Sequence, residues 1–301
     1  YIIGMMNAPV DQMIGFIRSA QDAKISLERL GEVHLREDEE PLHEQALKIN
    51  ELEQQHDLVL KEVSFQYDGP RSPLVLDKLN LTIPQQKVTA IVGMSGSGKT
   101  TLLKLLLGFY KPVSGEINVG PFKLENLSAK MWRSVVGAVM QDGFIFSDSI
   151  AGNISISQER QNYSKLLQAA ATANILEHIE TLPLSFNTVI GQEVVGLSQG
   201  QKQRILIARA VYKDPQYLFF DEATNALDAN NEKLILGRLN DFFKGRTVVV
   251  VAHRLSTVKN ADQIVVLDKG RIVEQGTHAA LTQLKGHYYE LVRNQLELGD
   301  G

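Results

Sequence analysis

The chain has 301 residues, 44% hydrophobic and 22% charged, with a formal net charge of −4. That length gives room for a sizeable core, and the slightly acidic balance, with no face-sized block of Lys and Arg, gives no support for a nucleic-acid surface. Cysteine is absent, which excludes disulfides and thiolate metal sites. No stretch reaches the roughly 20 apolar residues that cross a bilayer. The first residue is Tyr1, with no secretory leader pattern, so the chain reads as a fragment or processed product.

Residues 1–35 read as a helix. Val10, Ile14, Ile17, Ile25 and Leu30 recur near a 3.6 period, and Pro9 suits a helix start. "REDEEP" (36–41) then breaks the pattern, so residues 1–55 are expected to be a helical extension or linker. That helix reads equally as an ordinary packing element or as one that meets a partner. From residue 56 the texture changes. "LVLKEVSFQY" and "LDKLNLTI" have strand patterns, and "KVTAIVG" is a short apolar strand entering a glycine loop before the helical "TTLLKLLLGFY". Residues 125–212 are mostly helix-period. Strand texture returns in "YLFFDEA" and "TVVVVAH" around the helical "NNEKLILGRLNDFF", and "QIVVLDKGRIVEQG" reads as a hairpin turning at Lys269–Gly270. Strands alternating with helices predict an α/β domain over 56–301 with a mainly parallel buried sheet. An antiparallel β subdomain is expected at its N-terminal side, with a helical subdomain, about 130–212, inserted into the core.

The chemistry starts with "GMSGSGKTT". Gly93, Gly98, Lys99 and Thr100 satisfy G-x-x-x-x-G-K-[ST] between a strand and a helix. The loop Gly93–Ser95–Gly96–Ser97–Gly98, continuing into Thr101, brings backbone N–H groups to phosphate oxygens. Lys99 reaches the β/γ-phosphates, and the Thr100 hydroxyl is a Mg²⁺ ligand. "YLFFDEA" supplies acids at a strand's C-terminal tip, where α/β folds place ligands. Asp221 suits Mg²⁺, and Glu222 is free to polarise an attacking water; alone, the triplet would be a strand ending in solvated acids. His253, ending a third apolar strand, is at the position to meet the γ-phosphate, although a lone histidine there is commonly structural. The amide of Gln141, after "VM", suits the metal or water shell. Tyr67 offers a ring face to adenine, or else is a strand aromatic.

In order, Tyr67, "GMSGSGKTT", Gln141, "LSQGQ", "YLFFDEAT", "NALD" and His253 resemble the A-loop, Walker A, Q-loop, signature, Walker B, D-loop and H-loop of ABC transporter nucleotide-binding domains. The resemblance spans residues 57–301. "LSQGQ" departs from the commonest form, with Gln199 where glycine is usual. The resemblance implies an ATP- and Mg²⁺-dependent ATPase with a P-loop core, with Lys99, Gln141, Glu222 and His253 catalytic and Thr100, Gln141 and Asp221 at the metal. It also implies a head-to-tail dimer in which Ser198, Gly200 and Gln201 meet the partner's nucleotide and Asp228 crosses the same interface.

The segment "NAPVDQMIGFIRSAQDAKISLERLGEVH" and "DSIAGNI" resemble exporter usage, and Glu193 sits where exporters place an acid facing their membrane helices. "SAQDAKISLERL" resembles the peptidase-containing bacteriocin and peptide exporters. The expected partners are therefore a second such domain and the transporter's own transmembrane domain, which alone contacts the membrane. The expected location is the cytoplasmic face of the cell (inner) membrane. Lipid or drug export, or a soluble ATPase outside transport, are the alternatives. The six other histidines (34, 43, 56, 178, 278 and 287) show no metal-ligand spacing. Trp132, Phe144 and Phe146 lie where the family meets its membrane domain, or else are core residues.

Overall fold

The computed structural model describes residues 2–35, 52, 54–69, 71–156, 161–191, 196–223, 229–252 and 258–299. The chain divides into two compact units, Tyr1–Leu47 and Lys48–Gly301. In the first, α1 (Ile2–His34) begins early enough that Pro9 lies inside the helix and not at its start. The proline lacks the N–H for an i→i−4 bond. Met13, Phe16, Leu27 and Leu30 of α1 are exposed.

The second unit opens with β1 (Leu58–Phe65) and β2 (Leu76–Ile83), followed by β3 (Val88–Val92) and α2 (Lys99–Leu106). Then come β4 (Ser114–Val119), β5 (Phe122–Lys123), α3 (Ala129–Val135) and β6 (Val136–Val139). Strands β1, β2, β4 and β5 form the antiparallel sheet, in the order β2–β1–β4–β5. Helix α2 stops before the apolar period of "GFY" does. Gly108 takes φ 76, and the N–H groups of Gly108 and Phe109 return to the carbonyls of Leu105 and Lys104, a glycine stop that satisfies the last turn.

The helical block holds the short strands β7 (Asp148–Ser149) and β8 (Val189–Ile190), which pair antiparallel across the helices between them. Its helices are α4 (Ile150–Ile154), α5 (Tyr163–Thr172), α6 (Leu176–Thr181) and α7 (Gln199–Lys213). It is not wholly an insertion of helices, because β6, only "VGAV", pairs in parallel with the strand Tyr217–Asp221 and closes the core sheet. Four residues containing a glycine and an alanine carry too little periodicity to announce a strand; the neighbouring ladder makes it one.

The core is completed by β9 (Tyr217–Asp221), α8 (Ala229–Phe243), β10 (Thr247–Val251), β11 (Gln263–Asp268) and β12 (Arg271–Gly276). Helices α9 (His278–Leu284) and α10 (His287–Gly299) follow. The six-stranded sheet runs β12–β11–β3–β10–β9–β6, parallel except for β12. Its apolar strands divide their side chains between two cores by simple alternation. Val92, Leu218, Phe220, Val248, Val250 and Val266 join the helical layer. Ile91, Phe219, Val249, Val251, Val265 and Leu267 join α2 and the antiparallel sheet. Burial on both faces explains why β9 and β10 read as unbroken apolar runs. The β11–β12 hairpin turns through Lys269 (φ 44) and Gly270 (φ 77), two left-handed residues that match strand twist. The α/β fold with a P-loop core is thus the one the sequence implies.

Candidate functional site

The C-terminal ends of the parallel strands lie along one edge of the core sheet. β3 runs into the glycine loop, β9 ends in Asp221 with Glu222 one residue beyond, and β6 leads to the exposed Gln141 two residues beyond its end. Register fixes this meeting, since Val139 faces Phe220 and Val251 faces Asp221.

The loop is tightly seated. A Cβ on Gly93 would lie 2.1 Å from the Leu267 carbonyl oxygen, and one on Gly98 (φ 102) would lie 2.7 Å from Leu76 Cδ2. Only glycine fits either place. The tip, Met94–Gly96, is exposed, whereas Ser97, Lys99 and Thr101 are buried. Lys99 Nζ donates to the carbonyls of Gly93 and Met94, both at 2.9 Å. Burial lowers its pKa, and the charges of Glu222 and Asp221 partly oppose that.

Thr100 Oγ1 donates to Asp221 Oδ1 at 3.2 Å, joining the helix start to the end of β9. Asp221 is fully buried, and its Oδ2 has no hydrogen-bond partner among the described residues. Burial raises its pKa, opposed by the Thr100 hydrogen bond and reinforced by the neighbouring Glu222 charge. A buried carboxylate with an orphaned oxygen, beside a hydroxyl, is a donor set suited to a hard cation that keeps waters and phosphate oxygens as its other ligands. Glu222 takes the left-handed φ of 52, with its N–H on the Val251 carbonyl at 3.2 Å.

Tyr67 is half-buried and shares a 3.1 Å hydrogen bond with the Thr101 hydroxyl, which ties it to α2. Its ring meets Phe65 and Tyr110 edge-on, with centroids 4.9 and 5.4 Å away. The residues Gly93–Thr101, Tyr67, Asp221 and Glu222 therefore form one constellation.

Ser198, Gly200 and Gln201 belong to a different local arrangement, at the start of α7. Ser198 Oγ accepts from Gln201 N at 3.2 Å, and Ser198 N donates to Gln201 Oε1 at 2.8 Å. Gln201 Nε2 also meets His178 Nε2 at 3.1 Å. His253, Asp228 and Glu193 lie outside the described residues. Phe144 and Phe146 are exposed and stack edge-on, whereas Trp132 is a core residue that donates to the Leu106 carbonyl.

Two contributors carried no sequence signal. Gly270, at the β11–β12 turn, donates its N–H to the Ser97 carbonyl at 3.1 Å and so braces the phosphate loop. Gln203 of α7 donates Nε2 to the Glu222 carbonyl at 3.1 Å. The hairpin turn itself was legible, but not the loop it would touch.

The sequence profile described as "ABC transporter" matches residues 76–225. Alpha-hemolysin translocation ATP-binding protein HlyB of Escherichia coli is 42% identical over 280 residues, covering 93% of this chain and 39% of that protein. Leukotoxin translocation ATP-binding protein LktB of Mannheimia glucosida is 40% identical over 295 residues, covering 98% of this chain and 41% of that protein. The chain thus spans about two-fifths of these relatives' length. Among solved structures, a bacterial Atm1-family ABC exporter with ATP bound superposes with a TM-score of 0.82 at 33% identity, over 91% of this chain and 47% of that one. The chain belongs to the ABC transporter family and carries its ATP-binding domain.

Proposed function

We propose that this chain hydrolyses Mg-ATP to drive export of a polypeptide across a membrane. The observation that carries the reading is the meeting of Thr100, Lys99 and the buried, half-partnered Asp221 at the mouth of the glycine loop. The loop N–H groups and Lys99 hold the phosphates, Tyr67 takes the adenine ring, and Thr100, Asp221 and Gln141 hold the metal. A divalent cation held there by Thr100, Asp221 and Gln141 would supply charge neutralisation to the phosphates. Glu222 accepts the proton of the attacking water, and His253 orients that water. The low polarity that raises the Asp221 pKa also strengthens the pull of Lys99 on phosphate.

The chain works as a head-to-tail dimer. Each copy offers Ser198, Gly200, Gln201 and Asp228 to the nucleotide held by the other. ATP favours the closed dimer only through its tighter binding in that state, and the signature residues supply the difference. Residues 1–55 lead from the transporter's transmembrane domain, which makes the membrane contact at the cytoplasmic face of the inner membrane. The relatives' printed names, translocation of hemolysin and leukotoxin, support a polypeptide cargo over a lipid or a drug.

The test is Glu222→Gln in the 301-residue chain. It should bind Mg-ATP normally, lose turnover by about 10²–10⁴ and accumulate as an ATP-bound dimer on size exclusion. Near-normal ATPase in that variant would sink the assignment of the base.

A further inference from the structure

We propose that Gln203 is a positioning residue that sets the direction of Glu222 and links it to the signature helix. This rests on the reading of Glu222 as the general base. Glu222 lies one residue past β9 in a left-handed backbone conformation, φ 52. A non-glycine residue persists there only when its surroundings hold it. Two hydrogen bonds pin its backbone from opposite sides. The N–H donates to Val251 of the neighbouring strand at 3.2 Å, and the carbonyl accepts from Gln203 Nε2 at 3.1 Å.

The two anchors differ in kind. Val251 belongs to the buried sheet, which is fixed by register. Gln203 belongs to α7, whose first turn is the self-capped Ser198–Gln201 segment. Helix α7 is also fastened further along. Arg209 donates from Nε to the Asn153 carbonyl at 2.8 Å and from Nη1 to the Phe144 carbonyl at 3.0 Å. One stiff helix therefore carries the signature at its tip, the bond to the Glu222 carbonyl near its start, and the tie to the segment after Gln141 near its end.

A hydrogen bond already at 3.1 Å is lost when α7 shifts by about an ångström. The Glu222 carbonyl then loses its bond from α7 while the N–H keeps its bond to the sheet, and the left-handed turn can relax. In this arrangement, engagement of Ser198 with the partner's nucleotide steadies the base of the same chain. The signature would thus act both on the facing site and, through Gln203, on its own.

The experiment compares Gln203→Met, which deletes the donor, with Gln203→Glu, which sets an oxygen against the carbonyl, and Gln203→Lys, which keeps an N–H donor. ATPase kcat and KM for Mg-ATP are measured in the 301-residue chain. Gln203→Met should lower kcat about tenfold with KM within about twofold, because only orientation at the reacting centre is lost. Gln203→Glu should lose more, and Gln203→Lys should recover to within about threefold of the parent. If the Met variant folds poorly, the Glu and Lys variants still decide, since both are charged and have similar helix propensity.

On a Glu222→Asp background, where the carboxylate is already withdrawn by a methylene, the loss from Gln203→Met should shrink to about twofold or less. Parent-like kcat in all three Gln203 variants overturns the inference and leaves the base assignment standing. An undiminished loss on the Glu222→Asp background overturns it too, since Gln203 would then act by another route. Failure of the base itself is read separately, from turnover in Glu222→Gln, and it removes the inference with it.

Discussion

Two of the glycine-bearing helix starts, those of α2 and α7, are finished in opposite ways. At α2 the N-cap is Gly98, in the left-handed region at φ 102, with no side-chain cap. At α7 the N-cap is Ser198, and a complete capping box links it to Gln201. A helix start leaves its first N–H groups without partners, so something must satisfy them. The first start has no side-chain cap to satisfy them, which suits the nucleotide site proposed above. The second closes on its own side chains and is stable without one. An anion approaching α7 meets a hydroxyl that still has a proton to donate, but one already accepting from its own helix. That is a suitable design for a surface presented to another molecule, because it must hold its shape while nothing is bound.

The comparison is broken most severely by giving the first start the finish of the second. Gly98→Ser would place a Cβ 2.7 Å from Leu76 Cδ2 at a φ that side chains rarely adopt. Its Mg-ATP affinity should fall by about 100-fold or more, roughly 2.7 kcal/mol, when read by fluorescent-nucleotide titration. Next comes Ser198→Arg, which fills the second start. It should leave ATP binding by monomers intact while abolishing the ATP-dependent dimer on size exclusion. Loss of monomer binding would mean that α7 serves its own nucleotide.

Asp221→Asn sharpens the first start from the other side. Replacing a buried, half-partnered carboxylate with a neutral amide should raise the nucleotide-free unfolding midpoint by about 2–4 °C. The same change should weaken the Mg²⁺ dependence of nucleotide binding, and a lowered midpoint would show that the carboxylate stabilises the fold. The smallest effect is that of Ser198→Ala. Removing the cap should cost about 1 kcal/mol by thermal unfolding, with Mg-ATP binding by the monomer unchanged.

Legibility in the sequence followed the range of the interactions. The phosphate loop was readable because its glycines, Lys99 and Thr100 lie within one turn of chain, and the chemistry of that stretch is local. The Lys269–Gly270 turn was readable for the same reason. β6 was not, because "VGAV" becomes a strand only by lying beside Tyr217–Phe220. α2 ends earlier than its apolar period, which continues past the glycine that stops the helix. Gln203 follows the "LSQGQ" signature by two residues and carries no signal of its own, yet its amide donates to the Glu222 carbonyl. Helical spacing says which residues share a face, but not what that face will meet.

The sequence by itself determined the fold class and set a glycine loop between an apolar strand and a helix, because these depend on local conformation and hydrophobic pattern. Only the tertiary structure decided that strands β3, β9 and β6 would end together and that Gly270 would brace Ser97. It also decided that one oxygen of Asp221 would be buried without a partner among the described residues. Parallel register and burial on both sheet faces bring about that convergence, joining groups more than a hundred residues apart in the chain.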